Sequence, residues 1–71
     1  MNLSHAITVE VTVTYGGDDR VAAEREAIAD ILYALRNVGI DATARATFTY
    51  TEDDDTGDVL HEGNPGKEDN A

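Results

Sequence analysis

The chain reads as a small α+β domain, a strand–helix–strand unit with one helix packed on one face of a sheet. Three observations predict it. Ile7, Val9, Val11, Val13 and Tyr15 alternate with the threonines Thr8, Thr12 and Thr14. Ala42, Ala44, Ala46, Phe48 and Tyr50 alternate with Thr43, Thr47, Thr49 and Thr51. Between these stretches, residues 18–38 carry apolar side chains at helical spacing. A period of two marks a strand buried on one side, and a period near 3.6 marks a helix with one buried stripe.

The first strand is expected over His5 to Tyr15. Gly16-Gly17 ends it, because residues without Cβ permit an abrupt turn into the helix. Asp18 or Asp19 then serves as N-cap, accepting from free amides at the positive end of the helix dipole. Val21, Ile28, Ile31, Leu32, Leu35 and Val38 form the stripe that faces the sheet. Asn37-Val38-Gly39-Ile40 is a stop signal, with Gly39 suited to the left-handed conformation after the last turn. The second strand follows over Ala42 to Glu52. Asp55-Thr56-Gly57 supplies turn residues for a short third strand over Asp58 to Glu62, giving strand–helix–strand–strand. The expected divisions are thus a folded domain over 1–51, an acidic turn over 52–62 and a disordered tail over 63–71, which has no large apolar residue.

A chain of 71 residues sits near the stability margin, since about 60% of the unfolded surface is buried at this size. There is no cysteine to staple it and no spaced Cys/His set for zinc. Self-association is the remaining remedy. Two strands joined through one helix run parallel, and a gap between them admits a strand from a second copy. The homodimer would then form a ferredoxin-like sheet from two strand–helix–strand halves. Small residues along one flank of the helix, Ala23, Ala27 and Ala34 with Val38 beyond them, mark where the neighbouring subunit approaches.

The net charge of −10 is unevenly spread. Before Glu52 four arginines stand against seven acids, or −3; from Glu52 onward Lys67 stands against eight acids, or −7. Such a chain is repelled by nucleic acid and by anionic membranes, so direct binding to either is not expected. No run of 18 apolar residues suggests a membrane span and the N-terminus lacks signal-peptide features, so a cytoplasmic location, in a cell or a virion's host, is expected. One lysine against four arginines, with abundant Ala, Thr, Val and Asp, is a balance shared with proteins of salt-loving archaea and of GC-rich bacteria and their phages.

Candidate chemistry is thin. Gly16-Gly17 before a helix invites a phosphate loop, yet two aspartates occupy the anion's place and no Lys-Ser/Thr follows. With Gly57 at the sixth position of a calcium loop, Gly63 falls where the bidentate glutamate should be. Asp58 and His61 are too few for a metal, and both histidines read as ordinary surface residues. Ser4 beside His5 lacks an orienting third group. No catalytic residue, metal or cofactor is therefore assigned, and the chain is expected not to be an enzyme. The threonine face, with Glu10 placed to neutralise Arg45, reads as the solvated side of the sheet. Tyr33 is different: it lies away from the buried stripe with Ala22, Glu26 and Ala29, and an aromatic with a polar tip suits a protein partner.

These features lead to a non-enzymatic protein–protein interaction module, a homodimeric adaptor or regulator. Two other readings compete. The acidity fits a nucleic-acid mimic that inhibits a DNA-binding protein. The order strand, helix, two strands is similar to that of dodecins, which implies small-ligand storage, although no tryptophan is present to stack on a flavin.

Overall fold

The computed structural model describes residues 2–66. Three regular elements follow in chain order: helix α1, Arg20–Asn37, strand β1, Thr49–Glu52, and strand β2, Val59–Gly63. The α+β class is as the sequence predicts.

Helix α1 begins and ends where its chemistry requires. The Asp19 side chain accepts from the Ala22 amide at 3.1 Å, which settles the choice between the two aspartates. At the other end Gly39 takes φ +82°, and two amides return to the last turn. Ile40 N–H donates to the Leu35 carbonyl at 2.9 Å and Gly39 N–H to that of Arg36 at 3.0 Å. These are the paired bonds of a Schellman stop, which leave Val38 as C-cap and not as a member of the helical stripe.

The acidic segment after β1 is a hydrogen-bonded turn. Asp53 Oδ1 accepts from the amides of Asp55 at 2.8 Å and Thr56 at 3.2 Å. The Asp53 carbonyl accepts from Gly57, whose φ of +79° closes the loop, and the Asp53 amide donates to Asp58. This turn returns the chain as β2, antiparallel to β1, pairing Thr49 with Gly63, Tyr50 with Glu62 and Thr51 with His61. The register slips by one at Glu52, which faces Val59, so β2 carries one extra residue there.

Three expectations need correction. The predicted first strand, His5 to Tyr15, pairs with no strand among the described residues, and neither do residues 42–48 of the second. A β ladder needs a neighbour within hydrogen-bonding distance, and β2 is long enough to reach only Thr49. The phase of the second strand also changes. Ala42, Ala44 and Ala46 are half-buried, but from Thr49 onward the odd positions Thr49 and Thr51 are, leaving Phe48 and Tyr50 exposed. The Thr49 hydroxyl is held by Glu24 of α1, which turns its neighbours outward. Finally, residues 63–66 are anchored and are not the start of a tail. Gly63 closes β2, and the Gly66 amide donates to Glu24 Oε1 at 2.8 Å. Residues 67–71 of the expected tail lie outside the described residues.

No apolar side chain is fully buried among the described residues. Val21, Ile28, Ile31, Leu32 and Leu35 are half-buried, so the stripe faces inward without being covered. The chain exposes 6517 Å², whereas a compact monomer of its mass exposes about 4,300 Å². No helix among the described residues is long and apolar enough to cross a membrane.

Candidate functional site

Two features stand out, a polar node on the inner face of α1 and the open trough beside it. The node is Glu24. It falls on the apolar stripe between Val21 and Ile28, and is only 8% exposed. Its carboxylate accepts three hydrogen bonds from three parts of the chain. Arg20 Nη1, one turn earlier, donates to Oε2 at 2.8 Å, forming an ion pair. The Thr49 hydroxyl donates to Oε2 at 2.6 Å, tying β1 to the helix. The Gly66 amide donates to Oε1, tying down the chain after β2. Burial disfavours the charged form, but the bonds from Thr49, Gly66 and Arg20, with the charge of Arg20, outweigh it. The carboxyl is held below its ordinary range.

On β2, opposite Thr51, His61 is also 8% exposed and donates from Nε2 to the Asn64 carbonyl at 3.0 Å. A carbonyl accepts only, so the proton sits on Nε2. The surface position that the sequence suggests for His61 is thus corrected: it is the inward-facing member of β2. Its bond curls residues 64–66 back toward Glu24. Among the described residues no group of three or more His, Asp or Glu side chains is placed to hold a metal. Asp53, which lies between the loop positions Glu52 and Asp54, spends one oxygen on backbone amides.

The trough is bounded by residues 5–19, by the inner face of α1 and by residues 40–55, and encloses about 2880 Å³. Its first wall has no covering. Exposure falls from 80% at Ile7 through 74% at Val9 to 42% at Val13. Among the described residues, none of the backbone–backbone hydrogen bonds outside the helix and the sheet involves residues 2–18. The wall is fixed near its end, where the Tyr15 hydroxyl donates to Asp30 Oδ2 at 2.7 Å, a bond that raises the phenol pKa above its ordinary value. Of the flank assigned to a neighbouring subunit, Ala23, Ala27 and Ala34 line this trough. Val38 does not; as C-cap it stands 70% exposed past the end of the helix.

Tyr33, Ala29, Glu26 and Ala22 are all exposed on one side of α1, as their spacing predicts, with Tyr33 at 69%. Glu24 is the residue that sequence reasoning missed. Its signal was present: an acid at the one point where the stripe from Val21 to Ile28 lacks an apolar side chain, four residues after an arginine.

A comparison of the chain with protein-family models, with curated proteins and with solved structures finds no match.

Proposed function

We propose that this chain is a non-enzymatic interaction module that works as a homodimer, an adaptor or regulator that offers a protein partner the exposed side of α1. The observation that carries the reading is the uncovered apolar surface. The exposed area exceeds that of a compact monomer by about 2,200 Å². Assigning the six residues outside the described range the full exposure of an extended chain, about 155 Å² each, still leaves about 1,300 Å². Obligate dimer interfaces bury about 1,000 Å² or more per partner, so one second copy is the right size of remedy. In the ferredoxin-like arrangement a strand of each copy enters the trough of the other, and both helices cover one face of the shared sheet.

Sedimentation equilibrium at micromolar concentration tests this. The expected mass is twice the 7.6 kDa of one chain; a mass of one chain with cooperative unfolding overturns it.

One observation also favours the nucleic-acid mimic. Glu52, Asp53, Asp54, Asp55, Asp58 and Glu62 belong to a hydrogen-bonded hairpin, which spaces the acids more rigidly than a tail would. Replacing Asp54, Asp55 and Glu62 with their amides discriminates, because the mimic loses activity with its charge and the interaction module does not.

A further inference from the structure

Resting on the homodimer reading above, we infer that the segment Ile7–Tyr15 is the dimer's central strand, paired antiparallel with the same segment of the second copy about a two-fold axis at Val11. The occupant of the trough is therefore the same valine-rich segment of a second copy, and not an unrelated chain.

The segment has what an intermolecular strand needs. Its backbone amides and carbonyls find no backbone partner among the described residues, and unpaired edges of this kind template pairing with another chain. Its sequence is rich in valine and threonine, residues suited to a half-buried sheet. Nine residues span about 30 Å, long for an unpaired edge. The whole segment, apolar and threonine positions alike, borders the trough that α1 already floors with Ile28 and Ile31.

The register follows from symmetry and charge. A two-fold axis makes the interface isologous, so each residue faces a partner at a fixed number sum. Apolar residues must meet apolar residues, because a slip by one turns every side chain to the wrong face. The sum is therefore even. Centring on Glu10 would set two glutamates directly opposite each other, and like charges so placed destabilise the pair. Centring on Val9 or Thr12 leaves part of the apolar row without a counterpart. Centring on Val11 matches Ile7 with Tyr15, Val9 with Val13 and Val11 with itself, and opposes Glu10 with Thr12. Only this alignment uses the whole row.

Because the chain has no cysteine, single-cysteine variants report the register cleanly. Val9→Cys, Glu10→Cys and Val11→Cys, each made in the full chain, are weighed by light scattering and then oxidised with copper phenanthroline. At the axis the two Cα atoms lie about 5 Å apart, within disulfide reach, whereas the two thiols of a Val9→Cys dimer are separated by about four residues of strand, far beyond it. The expected result is covalent dimer at least ten times faster for Val11→Cys than for Val9→Cys. Mixed Val9→Cys and Val13→Cys proteins should also crosslink to each other, which serves if Val11→Cys disturbs the centre. A dimeric mass with no preference for position 11 and no crosslink between positions 9 and 13 overturns this pairing while leaving the homodimer standing. A monomeric mass of the unaltered chain overturns the homodimer itself.

Discussion

Replacing Glu24 should loosen three parts of the molecule at once. In the Glu24→Ala variant the Thr49 hydroxyl, the Gly66 amide and the Arg20 guanidinium all lose their acceptor. A hydrogen bond to a charged group is worth about 1.5–3 kcal/mol net when its partners are shielded from water. Gly66 is exposed and recovers water, and the guanidinium keeps part of its hydration, so the three losses sum to less than three full bonds. We expect about 2–3 kcal/mol in all. For a domain of this size that lowers the melting temperature by roughly 10–20 °C. Circular dichroism at one fixed protein concentration measures it, since the melting of the proposed dimer would depend on concentration. The pH profile adds an independent readout. A carboxyl whose folded-state pKa is depressed stabilises above its unfolded value, about 4.3, and that contribution disappears as pH falls through the folded value. The unaltered chain should therefore lose stability below about pH 4 relative to Glu24→Gln, which has no such proton to bind. If Glu24→Ala melts within about 2 °C of the unaltered chain, equivalent to under about 0.5 kcal/mol, the node does not hold the molecule together. Parallel acid profiles for the unaltered chain and Glu24→Gln would say the same of its charge.

Other perturbations test the ends and faces of the helix. Gly39→Ala should cost about 1–2 kcal/mol, because the added Cβ meets no neighbour and only the left-handed backbone resists it; urea unfolding at fixed concentration measures the loss. Asp19→Ala removes the acceptor for the Ala22 amide and should cost about 1 kcal/mol by the same assay. Tyr33→Ala should leave both the melting temperature and the sedimentation mass unchanged, since the side chain is exposed on the outer side of α1. If Tyr33 anchors a partner, affinity purification with this variant recovers that partner at roughly a tenth or less of the amount obtained with the unaltered chain, the loss typical of a hot-spot aromatic. Equal recovery removes Tyr33 from the proposed surface.

How much of this was legible depended on how local each signal was. The helix and both its ends could be read because capping is settled within a few residues: Asp19 reaches Ala22, and Gly39 and Ile40 reach Arg36 and Leu35. The hairpin was legible for the same reason, through the turn residues Asp55-Thr56-Gly57, although the part played by Asp53 was not. The outer placement of Tyr33 followed from periodicity alone. What could not be read was long in range. Glu24 interrupts an apolar stripe, and periodicity treats an acid there as a blemish until Thr49 and Gly66, 25 and 42 residues away, are known to converge on it. The same convergence reversed the phase of the second strand, placing Phe48 and Tyr50 outside although their alternation with threonine gave no warning. Alternation says which residues share a side but not which side faces the helix.

The first alternating segment has no strand partner among the described residues, and that is the strongest reason for proposing a second copy. A sequence that alternates over nine residues specifies a sheet neighbour as firmly as a stripe specifies a helix's neighbour, yet none of the described residues supplies it. Intramolecular candidates are used up or too short: β2 is committed to β1, and residues 42–48 lie across the trough. Leaving nine residues of backbone bonded only to water, with four large apolar groups beside them, wastes both terms that favour a sheet. A copy of the same segment satisfies both together and brings its own complementary row. The proposed self-pairing rests on the chain's composition as much as on its shape, because the most reliably available partner for a valine–threonine edge is another molecule carrying the same edge.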